Sequence, residues 1–154
     1  MTRPMPGASI GLTDRAVFAL TLHHEASGEG RRGMVAVGCV IRTRAAWGKW
    51  GPTVRDVCLA HKQFSCWRPA GGTTNYGRLV VHADAIRAGR LPPVLASAFE
   101  VVDEVLAGAP DITHGADHYW APQAMVPRGR VPEWAMGVRP TATIGGHVFV
   151  RLRP

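Results

Sequence analysis

The chain has 154 residues, enough for one domain that buries roughly 68–70% of the surface its unfolded chain would expose, and it has no apolar run long enough to span a bilayer. Apolar residues make up 46% and charged residues 19%, which describes a folded globular domain and excludes a membrane-spanning or disordered chain. Lys and Arg total 18 against 11 Asp and Glu; the net charge of +7 favours anionic partners such as cell-wall polymer, lipid or nucleic acid. The arginines are scattered and form no basic tail, so no specific nucleic-acid partner is expected.

Residues 1–12 read as an N-terminal arm ahead of a single domain over 1–154. They hold no continuous apolar stretch of the secretory type, so the expectation is a protein made in the cytoplasm that reaches any outside target by another route. A helix follows over 13–26, with Thr13 as N-cap, Asp14 in the first turn, and Leu12 and Val17 placed as a hydrophobic staple. Gly28 and Gly30 should end it. Residues 33–46, apolar nearly all round for eight positions, suit a buried helix, with a buried strand as the alternative. Thr53 to Asp56 is a capping box for a short helix to about Leu59, and 63–67 reads as a strand or extended segment. A loop over 69–77 and a helix over 78–89 come next. The clearest helical period runs from Pro93 to Ala107, with Val94, Leu95, Ala98, Val101, Val102, Val105 and Leu106 on one face and Gly108 as the stop. After residue 110 only short pieces remain, ending in HVFVRL as a strand.

Cys39 lies in the apolar run MVAVGCVI as a buried thiol, while Cys58 and Cys66 could pair in an oxidising compartment. The segment HHEASGEG places Glu25 and Glu29 at the end of an apolar helix. Phe18, Thr21 and Leu22 share the face of Glu25, so apolar surroundings should raise its pKa, as a general acid acting on a glycosidic oxygen requires. Both carboxylates also read as solvated groups paired with Arg31 or Arg32.

The ordered series HEASGEGRRGMVAVGCVIRTR, TVRDVCLAHKQFSCW, GADHYW, PEWA and GGHVFV resembles the SleB-type cell wall hydrolase family, which includes spore-cortex-lytic enzymes and phage lysins. The resemblance implies an α+β, lysozyme-like, mostly helical domain with a few short strands, cleaving between N-acetylmuramic acid and N-acetylglucosamine of peptidoglycan glycan strands. It further implies a lytic transglycosylase without cofactor or metal, in which one glutamate is acid and then base. That glutamate falls on Glu25, and the family's second glutamate on Glu29 in a supporting role. Gln63, Phe64, Ser65 and Trp67 match the Q-F-S region and are expected to form a wall of the groove, with His118 and Tyr119 from GADHYW nearby. His147 and Phe149 match the terminal H-x-F, where a structural histidine is expected. The chain departs from the pattern at Ser27, where Arg is usual, and at Thr43, where Asn is usual. A phage lysin or a component of a phage-like particle is the implied setting.

Three other readings stand beside this one. His114 and His118 flank Asp117 closely enough to share a metal if helical; Cys66 with a histidine would make a wall peptidase or amidase; and a wall-binding module would use the Arg and Trp content without Glu25. Asp117 is also the residue that folding would have to bring near Glu25 for two-carboxylate hydrolysis.

Overall fold

The computed structural model describes residues 6–69 and 74–154. Five helices, α1 Asp14–Ala26, α2 Gly30–Trp47, α3 Val54–Leu59, α4 Thr74–Arg87 and α5 Ala96–Leu106, precede a small sheet of β1 His118–Trp120, β2 Ala142–Ile144 and β3 His147–Val150. The sheet order is β1-β3-β2, antiparallel throughout, with Tyr119 opposite Phe149 and Ile144 opposite His147.

α1 is the central helix. The Thr13 hydroxyl caps it by accepting the Ala16 amide, and every residue from Ala16 to Leu22 is buried, with α2, α3, α4 and α5 packed around it. Side chains such as Phe18, Leu20 and Leu22 are fully enclosed, each burial contributing about 1.5–3 kcal/mol. α1 does not simply end at Gly28. Residues 27–29 form a single 3-10 turn, and Gly30, at φ 74°, redirects the chain straight into α2, three residues earlier than the pattern predicts. Gly38 of α2 lets α1 and α5 approach, since a Cβ there would lie 3.0 Å from Val105 Cγ2 and 3.6 Å from Leu22 Cδ1.

The capping box of α3 forms as expected, with Thr53 and Asp56 bonded to each other's amides. Residues 63–67 are not a strand: Gln63 ends a turn and Ser65–Trp67 make a 3-10 turn, because the segment packs back on α1 and α4 and finds no strand partner. α4 begins within the loop expected over 69–77. α5 starts after a Pro93–Leu95 turn and buries Leu95, Ala98, Val101, Val102 and Val105; Val94 and Leu106, expected on the same face, are exposed at its ends. Residues 6–12 lie against α3 and α4. Arg55 donates to the carbonyls of Leu12 and Ser9, and Arg87 to those of Ile10 and Ala8. The sheet packs on α2 through a second apolar cluster of Ala36, Val40, Ala116, Ile144 and Phe149. All three cysteines are free and buried, so Cys58 and Cys66 are not bridged.

Candidate active site

The last turn of α1, the α2 end and the sheet enclose a cleft of about 700 Å³ lined by Glu25, Arg44, Lys49, Trp50, Lys62, Gln63, Phe64, His118, Tyr119, Trp134 and Leu152. Among the described residues, Glu25 is its sole carboxylate. The buried body of α1 holds this side chain from behind, and the Cys66 amide donates to its Oε1 at 3.3 Å. Burial raises its pKa above the usual carboxylate value, and the Cys66 hydrogen bond opposes that only in part. Tyr119 lies beside it on β1. Its hydroxyl is driven far up by burial and by the Glu25 charge, so it stays protonated as a donor.

Glu29 stands apart from the cleft. Its Oε2 accepts the Gly146 amide at 2.6 Å, and its carboxylate fills the space over Gly145 and Gly146 in the β2–β3 turn. The solvated pairing with Arg31 does not form, because Arg31 reaches Glu100 and Glu104 of α5 instead.

Arg44 is the cleft residue that motif reading passed over among scattered arginines. Only 5% exposed, it donates from Nε to the Asp117 carbonyl at 2.7 Å and from Nη1 to Gln63 Oε1 at 3.1 Å, and lies 4.3 Å from the Trp50 ring centroid. Gln63 is thereby fixed in the lining of the cleft. Phe64 lines the wall too, 3% exposed. Trp67 does not: it is 1% exposed and donates to the Thr21 hydroxyl at 2.9 Å, so it supports Glu25's helix from the core. Ser65 is exposed and outside the cleft lining. Trp50 and Trp134, whose rings lie 5.6 and 5.2 Å from that of His118, complete an aromatic wall that sequence reasoning missed, since Trp50 sits in a loop and Trp134, within PEWA, on a single 3-10 turn, where no periodicity aims a side chain.

Asp117 is no partner for Glu25. It is fully buried, which by itself raises its carboxyl, but it accepts from the Leu152 and Arg153 amides, from Arg153 Nη1 and from His118 Nδ1, which together outweigh burial and hold it down to about 2. His118 therefore keeps a proton on Nδ1, leaving Nε2 as its acceptor, and burial favours the neutral ring. The metal pairing of His114 with His118 fails, because Asp111 closes 111–115 into a turn in which His114 adopts φ 55°. A Cys66 nucleophile fails as well: burial, then the neighbouring Glu25, pushes its thiol well above the ordinary range. His147 is buried against the Tyr119 ring at 4.8 Å, where burial lowers its pKa, and its Nδ1 has no hydrogen-bond partner among the described residues.

The sequence profile described as cell wall hydrolase matches residues 28–150. The chain belongs to the cell wall hydrolase family. The match begins just after Glu25 and includes Glu29. Among solved structures, the catalytic domain of the germination-specific lytic transglycosylase SleB from Bacillus anthracis superimposes on this cell wall hydrolase with TM-score 0.62 and 22% identity, covering 92% of this chain and 98% of that one. The catalytic domain of the Bacillus cereus SleB protein gives TM-score 0.63 and 23% identity over 90% and 89%. At this identity the likeness establishes the fold: a mostly helical domain with one small sheet. No curated protein matches the sequence.

Proposed function

We propose that this cell wall hydrolase is a lytic transglycosylase that cleaves the bond between N-acetylmuramic acid and N-acetylglucosamine, with Glu25 as its one acid and base. The observation that carries this reading is a cleft with a single, desolvated carboxylate, while the nearest rival, Asp117, has every lone pair engaged. Protonated Glu25 gives its proton to the bridging oxygen, the bond to the anomeric carbon breaks, and the departing sugar leaves as an alcohol. The Glu25 carboxylate then takes the proton of the muramic acid 6-hydroxyl as that oxygen attacks the anomeric carbon. The products are a 1,6-anhydro end and a restored acid. Lys49 and Lys62 give the cleft a positive rim suited to the carboxylates of peptidoglycan stems, with the buried Arg44 adding positive charge behind it, while Trp50 and Trp134 offer ring faces to the sugars.

Mass analysis of muropeptides tests this. Wild type should release fragments lighter by one water than hydrolysis products, and Glu25→Gln should lower kcat by about 10²–10⁴-fold. Reducing ends from the wild type would overturn the transglycosylase step, and full activity of Glu25→Gln would overturn the assignment itself.

As its setting we propose release from the cytoplasm to the wall, as a phage lysin or a component of a phage-like particle; the net charge of +7 supports attraction to anionic wall polymer. Cytoplasmic expression should then be harmless until the membrane is breached, with rapid lysis afterwards. Lysis without a breach would overturn this setting.

A further inference from the structure

Behind the Glu25 turn, three imidazoles meet. His23 and His24 end α1, His82 comes from α4, and their available ring nitrogens lie within 4.8 Å of one another, the one such group of three found among the described residues. Ring centroids are 4.8 Å apart for His23 and His24, 5.6 Å for His23 and His82, and 5.1 Å for His24 and His82.

Hydrogen bonding settles the state of the middle ring. Asn75 donates from Nδ2 to the His24 carbonyl at 2.9 Å, which turns its Oδ1 toward His24 Nδ1 at 3.1 Å. That oxygen can only accept, so His24 carries its proton on Nδ1 and bares the lone pair of Nε2. Nε2 faces His82 Nδ1 at 3.0 Å. Two ligand nitrogens on one tetrahedral zinc, each at about 2.0–2.1 Å, would stand roughly 3.3 Å apart, so a few tenths of an ångström admit a metal between them. An acceptor behind a ligating histidine is also the usual means of fixing its ring.

We infer that His23, His24 and His82 form a binding site for one divalent d-block cation of borderline softness, zinc being the representative, which clamps the end of α1 to α4. Three neutral imidazoles with neither thiolate nor carboxylate suit such an ion over calcium or magnesium, and water would complete the coordination. In the metal-free protein His82 Nδ1 donates to His24 Nε2. Binding moves that proton to His82 Nε2, so the charge of the protein does not change.

Untagged full-length protein, dialysed against zinc or cobalt alone, should retain one ion per chain, and the cobalt form should show the visible bands of a tetrahedral nitrogen site. Zinc at a hundredfold excess over Kd should raise Tm by about 5–10 °C. His82→Gln and His24→Gln should each abolish stoichiometric binding, Asn75→Ala should weaken it about 10–100-fold through the His24 ring, and His114→Asn, remote on its exposed turn, should leave it unchanged. His23→Gln serves as a third ligand variant should either of the first two lose its helical circular dichroism. The absence of saturable binding, or binding that survives His24→Gln and His82→Gln, would overturn the site. None of these readouts depends on Glu25 or on catalysis.

Discussion

The Glu29 carboxylate receives the Gly146 amide across 117 residues of chain, tying the α1–α2 junction to the β2–β3 turn. Gly145 stands at φ 58°, and a Cβ there would fall 2.4 Å from Glu29 Oε2, so the turn is shaped around that carboxylate. Glu29→Ala leaves a part-buried amide without its charged acceptor and should cost about 1.5–3 kcal/mol. Glu29→Gln keeps an acceptor oxygen and should cost less. Urea unfolding measures both, and turnover by folded Glu29→Gln should stay within about tenfold of wild type. A Glu29→Gln defect as deep as that of Glu25→Gln would place the chemistry on the wrong glutamate.

Glu25 should make the opposite kind of contribution. Its folded pKa lies above its unfolded one, so between the two the native state binds more protons and stability falls as pH rises. Glu25→Gln removes a half-buried, desolvated charge that destabilises the fold near neutral pH. The variant should therefore be at least as stable as wild type at pH 7, with the difference shrinking as pH falls from the raised folded pKa to the unfolded carboxylate value and changing no further below it. Thermal melts from pH 4 to 8 check this, and a variant less stable than wild type at pH 7 would contradict the desolvation argument.

This contrast between the two glutamates was half legible in the chain. Helical spacing put Glu25 against Phe18, Thr21 and Leu22, and those residues are buried. Caps or a one-sided apolar face also found α1, α3 and α5, an apolar run long enough for a buried helix found α2 with a strand left as the alternative, and the helix expected over 78–89 overlaps α4. What local sequence does not carry is pairing at a distance. Gly146 reaches Glu29, Asp117 is captured by the Leu152 and Arg153 amides, and Arg44 joins Gln63 to the sheet, all across contacts no spacing rule encodes. Trp67 was misplaced for a related reason. An aromatic in a loop can face a ligand or the core, and its indole donor found Thr21.

Asp117 predicts an acid limit. Its carboxyl, held at about 2 by four donors, sits below its ordinary value of 3.8, so it stabilises the fold above pH 4 and that stability is lost as pH falls from about 4 to 2. The contribution is on the order of 2 kcal/mol. Asp117→Asn should lose at least that much at pH 7, because Arg153 and His118 lose a charged acceptor, and should flatten the stability profile below pH 4. An unchanged acid profile in the variant would remove Asp117 as its cause.

Trp134 separates binding from folding. It is 43% exposed, on a short turn between Pro132 and Met136, and its ring contacts are His118 at 5.2 Å and Trp120 at 5.8 Å. Trp50, by contrast, also carries the Arg44 guanidinium at 4.3 Å and meets Trp47 edge-on at 5.5 Å, so its removal disturbs the cleft as well as the sugar contact. Trp134→Ala should thus leave stability within about 0.5 kcal/mol of wild type, as surface changes do. Losing a ring face worth about 1 kcal/mol to bound glycan should raise KM roughly five- to tenfold while kcat holds, since that contact is made equally in ground and transition states. Trp50→Ala should raise KM, lower kcat and lower Tm together, because Arg44 would lose its platform. Steady-state digestion of purified glycan strands by the two variants distinguishes these outcomes, and equal, purely structural losses in both would show that the wall is core rather than groove.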